Sequence, residues 1–216
     1  GFYPEENHAV PGRYEVLIKA GKEKDITFTC SLCEDIEEIE GSNIIRKEIN
    51  RINEQIKDVK EYLKQSKSEE QLEKITDDLI KKYVIASDNF IVYRPSFKLH
   101  TLLAGYPWFL DWGRDSLISF EGIALISGRF ELAKEILLTL VKGESEGLIP
   151  NGYSGFDSRP LYNSVDSSLL LFEQVKKYLN YTQDYKFVKA KLFPVLLKII
   201  VSYKKGIDID NNNILD

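Results

Sequence analysis

A chain of 216 residues with net charge −5, 43% hydrophobic and 29% charged, has the composition of a globular protein of one large or two small domains. Its Lys and Arg are scattered, so no electrostatic feature recommends a nucleic-acid partner. No apolar run approaches the ~20 residues a membrane helix needs, and no basic-then-apolar leader opens the chain; no membrane and a cytoplasmic location are the expectation.

Residues 13–18 and 25–29 are short alternating stretches around Ala20-Gly21-Lys22, the pattern of a hairpin. Two strands cannot bury a core alone, so residues 1–41 are expected to be the last strands of an N-terminal β-sandwich domain. Cys30 and Cys33 form a C-x-x-C that reads as a redox pair, half a zinc site, or two cysteines closing a strand. Zinc would need two more ligands. His8 and His100 lack the spacing, and an acidic loop follows where a thiol redox motif would start a helix. No metal and no cofactor are assigned.

Over residues 42–67, Ile45, Ile49, Ile52, Ile56, Val59 and Leu63 recur at spacings of four and three, one narrow apolar stripe along a linker helix. The same seam could serve a homodimer, although it is short for a coiled coil. Residues 68–216 read as the start of a helical domain. Ser68-Glu69-Glu70-Gln71 has the form of a capping box, opening a helix expected to bury Leu72, Ile75, Leu79 and Tyr83. Ile91-Val92-Tyr93 is extended before Pro95. Apolar faces then predict helices over 117–127, 130–141, 164–179 and 184–203, with Gly128, Gly143 and Gly206 near their ends. Pro194 should kink or break the last of them.

Between these helices lie two polar clusters. Gly105-Tyr106-Pro107-Trp108-Phe109-Leu110-Asp111-Trp112-Gly113-Arg114-Asp115 joins aromatic rings, two carboxylates and a guanidinium. About fifty residues on, Gly147-Leu148-Ile149-Pro150-Asn151 leads to Leu161-Tyr162-Asn163-Ser164-Val165-Asp166. Such a mixture suits a sugar, whose C–H face lies against an indole and whose vicinal hydroxyls pair with groups making two hydrogen bonds. The competing reading is of core aromatics, with Arg114 and Asp115 in an ion pair or a helix cap.

The runs YPWFLDWGRDSL, GLIPN and LYNSVDSSLLLFE, in that order, resemble the glucosidase domain of glycogen debranching enzymes, the amylo-α-1,6-glucosidases, of the short microbial type. The likeness extends weakly to PGRYEV near the start and to the helix ending at Tyr203. It implies a mainly α fold, part of an (α/α)6 toroid, in which long loops gather over a central pocket. It also implies a glycoside hydrolase acting with inversion on α-1,6-linked glucosyl stubs of glycogen or a related α-glucan. Trp108 and Trp112 would stack on glucose, Asp111 and Asp115 would accept from vicinal hydroxyls, Arg114 would donate or orient a carboxylate, and Asn163 and Asp166 would approach from the neighbouring loop.

An inverting glycosidase needs an acid and a base ~6.5–9.5 Å apart. Among Asp111, Asp115, Asp157 and Asp166, Asp166 is the candidate acid, with an N-cap as its alternative role. The resemblance instead sets both catalytic groups beyond Asp216, which, with the absence of Met, makes a fragment of a longer enzyme the expectation. The family more often carries aromatics where this chain has Ser167-Ser168-Leu169-Leu170, which leaves linkage preference open. A non-catalytic helical carbohydrate-binding or scaffold module is the alternative function.

Overall fold

The computed structural model describes residues 12–28, 40–105, 109–154 and 157–206. The chain forms two compact units, Gly1–Arg51 and Ile52–Asp216. In the first, the described residues turn at Ala20-Gly21, where Lys22 N–H donates to the Lys19 carbonyl at 3.0 Å. The rings of Tyr14 and Phe28 meet edge to face at 5.5 Å. No strand forms among the described residues 12–28, in contrast to the expected hairpin; every one of them is exposed, and a strand pair with no second layer to cover it gains nothing from burial. Cys30 and Cys33 lie outside the described residues.

Helix α1 (Gly41–Ser66) carries the anticipated stripe, but its residues part company along its length. Ile45 and Ile49 are exposed, whereas Val59 and Leu63 are buried. They form a small core with Ile80 and Val84, against which Ile56, Leu72, Ile75 and Tyr83 pack. The capping box is present: Ser68 Oγ accepts from Gln71 N–H at 3.4 Å and Gln71 Oε1 from Ser68 N–H at 3.2 Å. The helix it opens, α2 (Glu69–Leu72), stops after one turn. Thr76 then caps α3 (Asp77–Asp88), its hydroxyl accepting from Leu79 N–H at 3.1 Å. That break resets the helical phase. Leu79, expected inside, is 52% exposed, and Ile80 and Val84 are buried instead. Leu79→Ala should therefore leave the urea midpoint unchanged within about 0.5 kcal/mol, while Ile80→Val should cost about 0.5–1.5 kcal/mol. A larger loss at Leu79 than at Ile80 would reverse this assignment.

Strands β1 (Ile91–Arg94) and β2 (Leu99–Leu102) pair antiparallel, Ile91 facing Leu102 and Arg94 facing Leu99. Helix α4 (Gly113–Phe120) passes into a π-helical turn at Glu121–Leu125, and α5 (Phe130–Val141) follows. The tight connection between them turns at Gly128, whose φ is +72°; the ring of Tyr62 lies 2.5 Å from where a Cβ would stand, so only glycine fits. The short strands β3 (Gly152–Tyr153) and β4 (Pro160–Leu161) also pair.

Helix α6 (Asp166–Thr182) and α7 (Tyr185–Phe187) come next, then a second π-turn at Val188–Leu192 and α8 (Phe193–Lys205). The helical stretch expected over 184–203 is thus interrupted, as Pro194 foretold. Pro194 has no N–H for the carbonyl four residues back, and the π-turn absorbs that gap just ahead of it.

The main core is built from Leu117, Phe120, Leu137, Leu171, Tyr178 and Ile199 with their neighbours, so α4, α5, α6 and α8 share one interior. The chain is mainly α. On α8, Phe193, Leu197, Ile200 and Val201 remain exposed along one helical stripe. Among the described residues no helix is long and apolar enough to cross a membrane.

Candidate active site

The first turn of α4 organises the site. A helix start leaves backbone N–H groups without intrahelical partners, and Trp112 in the cap position supplies no side-chain acceptor. Asn151 supplies two: its carbonyl accepts from Gly113 N–H at 2.6 Å and its side-chain oxygen from Arg114 N–H at 3.4 Å. Asn151 is itself held by donating its N–H to the Leu161 carbonyl at 2.8 Å. A Cβ at Gly113 would stand 2.8 Å from the Pro150 carbonyl and 3.0 Å from Ser167 Oγ, so the glycine permits this close approach. Ser168 Oγ accepts from Ile149 N–H at 2.8 Å. Ser167 and Ser168 are both fully buried, and their small size serves this packing.

The second tie runs through side chains. Arg114 Nε donates to one oxygen of Asp166, and Ser164 donates to the other. Burial acts to raise the Asp166 pKa, but the bonds from Ser164 and Arg114 hold the carboxyl below its ordinary value. Asp166 is the first residue of α6, with Val165 in the cap position, and its carboxylate is shared between Arg114, Ser164 and the backbone N–H of Ser167 in its own first turn. Arg114 remains 57% exposed, and its two terminal nitrogens have no partner among the described residues.

The three loops thereby meet at one corner. Asp115 is exposed and its carboxylate has no partner among the described residues. It borders a cleft of about 300 Å³ also lined by Phe90, Leu103, Ala104, Ile118 and Ser119. Trp112 is half-buried and Asn163 exposed. Asp111 differs from Asp115. It is buried, and both of its oxygens receive the Arg94 guanidinium, Nε to Oδ2 at 3.1 Å and Nη2 to Oδ1 at 3.2 Å. Trp108 lies outside the described residues. Asp157 is turned to its own loop, accepting from Arg159 N–H at 3.1 Å. Among the described residues no group of His, Cys, Asp or Glu is arranged to hold a metal ion.

Residues 85–215, more than half of the chain, match the family described as amylo-alpha-1,6-glucosidase. The chain belongs to the amylo-alpha-1,6-glucosidase family. Over 95 residues it is 34% identical to the glycogen debranching enzyme of Saccharomyces cerevisiae, a match covering 42% of this chain and 6% of that one. No solved structure matches. Arg94, Asp111, Arg114, Asp115, Asn151 and Asp166 all fall inside the segment matched to the amylo-alpha-1,6-glucosidase family.

Two residues of this corner escaped the reading of the sequence. Arg94 stands alone beside Pro95, with no motif around it. Asn151 sits in a quoted motif, but nothing local says that it caps the start of a helix whose Arg114 lies 37 residues earlier. Asp-to-guanidinium pairing also has a pH consequence. Because the folded pKa of Asp166 is depressed, its pairing stabilises the fold fully above the ordinary carboxylate value and is lost as pH falls through the folded value. The stability difference between wild type and Asp166→Asn should shrink as pH falls from about 5 to below the ordinary carboxylate value of ~3.9. A gap that stays constant across that window in urea titrations would show that Asp166 is not held ionised by these partners.

Proposed function

We propose that this chain forms the glucose-recognition part of a glycoside hydrolase that removes α-1,6-linked glucosyl stubs from glycogen or a related α-glucan with inversion. The observation that carries the reading is the fixed corner where Arg114 is tied to Asn151 and Asp166 while the neighbouring Asp115 carboxylate is left open. An open carboxylate and the unused terminal nitrogens of the preceding arginine, both in the first turn of α4, would offer acceptors and donors to sugar hydroxyls. Trp112 and Trp108 would supply the apolar face, and Asn163 a further polar contact. The exposed stripe on α8 suits a fold in which helix pairs continue side by side, as an (α/α)6 toroid requires.

Asp166 is not the proton donor in this reading. A general acid at neutral pH needs a raised pKa, and Asp166 is pushed the other way. Its task is to orient Arg114, with the acid and base supplied by other carboxyl groups of the full-length protein. The test is proton NMR of glucose released from a phosphorylase-limit dextrin by that protein. Initial appearance of the β anomer is expected. Initial α-glucose would overturn inversion, activity only on other α-glucosides would overturn the substrate, and no release from any α-glucan would favour a carbohydrate-binding or scaffold module.

A further inference from the structure

Arg94 lies on β1, outside the three motifs, yet it bonds to Asp111 in the first and to the segment that joins the other two. Besides its two bonds to Asp111, Nη2 donates to the Tyr153 carbonyl at 3.3 Å and Nη1 to Ser158 Oγ at 3.4 Å. Ser158 Oγ in turn donates to Ser96 Oγ at 3.1 Å. The guanidinium lies against two rings, 5.2 Å from the centre of Phe97 and 5.3 Å from that of Tyr153. These rings meet edge to face at 4.7 Å. The side chains of Arg94 and Asp111 are only 14% and 4% exposed.

A buried ion pair is weak grounds for stability, since desolvation offsets its attraction. What this geometry supplies is direction. The two-pronged pairing fixes the orientation of Asp111 as a single contact could not. Asp111 comes one residue before the cap of α4, and its carbonyl is 3.3 Å from the Cβ position of Gly152, so the strand after Asn151 packs directly against it. The same strand's carbonyl at Tyr153 is bound by Arg94. One guanidinium therefore registers the approach to α4 against the loop that caps it.

We infer that Arg94 is a positioning residue: through Asp111 and Tyr153 it sets where Trp112, Arg114 and Asp115 are held, without itself touching substrate. In its catalytic consequence this rests on the functional reading above; in its structural consequence it does not. Arg94→Lys keeps the charge but cannot make the paired contact, and Asp111→Asn keeps the shape but removes the charge.

The experiment combines steady-state kinetics on a limit dextrin with hydrogen exchange, using the full-length protein and both variants. Each variant should lower kcat/KM by up to ~100-fold, the effect of a small misplacement of contact groups, and the double variant should be no worse than the weaker single one. Exchange of the Gly113 and Arg114 amides should quicken while that of the buried α5 amides stays as in wild type. Unchanged kcat/KM in an active enzyme would overturn the catalytic consequence and leave the functional reading standing. A wild-type protein inactive on every α-glucan would remove that reading and leave exchange to decide. Unchanged exchange at Gly113 and Arg114, or failure of both variants to fold, would overturn the inference, the latter by making the pair a stability element.

Discussion

Asp115→Asn in the full-length protein is expected to lower kcat/KM toward a branched α-glucan by about 100- to 1,000-fold, the loss of one or two charge-assisted hydrogen bonds to sugar hydroxyls. The variant should remain folded. Asp115 is exposed and its carboxylate has no partner among the described residues, so no packing or ion pair is lost. Its position in the first turn of α4 gives it a favourable interaction with the helix dipole, worth about 0.3–1 kcal/mol. Activity should fall far more than stability. The measurement is kcat/KM beside a urea midpoint for the same preparation. Wild-type turnover would remove Asp115 from the site, and a matching collapse of stability would make it structural. Asp111 provides the contrast, since its carboxylate is engaged by Arg94 and its neutralisation should disturb the placement of other groups.

Gly113→Ala is expected to destabilise the fold by about 1–3 kcal/mol, the usual consequence of forcing extra volume into a packed site. The added methyl would meet a backbone carbonyl at 2.8 Å, and backbone cannot swing aside as a flexible side chain can. Relief would require α4 to draw back from residues 150 and 151, lengthening the 2.6 Å bond from Gly113 to Asn151. Gly122→Ala is the control, because nothing lies within 4 Å of its Cβ position. Denaturant midpoints should separate the two variants. Equal behaviour would mean that the close approach at Gly113 does not govern stability.

How far the sequence could be read depended on whether a feature is local. The bounds of α5 coincide with the range expected from its apolar face, which a glycine precedes and another follows. Its signal is periodic and uninterrupted. The segment around Leu79 misled because Thr76 starts a new helix inside what looks like one continuous pattern, and a break of a few residues moves the buried face. The strand Leu99–Leu102 was not legible, since its four residues show no alternation and owe their pairing to β1 and α5. In the site, the motifs announced themselves by composition and by resemblance, and the bonds from Arg114 to Asn151 and to Asp166 join all three. The division of labour between Asp111 and Asp115 was hidden. Both are aspartates in one short motif, and only the arrival of Arg94 from another strand makes one internal and leaves the other open.

The ties that hold this corner span long stretches of chain: 37 residues from Arg114 to Asn151, 52 from Arg114 to Asp166 and 64 from Arg94 to Ser158. Closing such loops costs entropy before any contact repays it. The helical core can assemble from nearer neighbours, so the corner is expected to be the last region to consolidate during folding. Substitutions at Arg114, Asn151 or Asp166 would then hasten unfolding while leaving the folding rate almost untouched. Recognition in this protein would thus be an attribute of the finished molecule alone, absent from any partly folded form that precedes it.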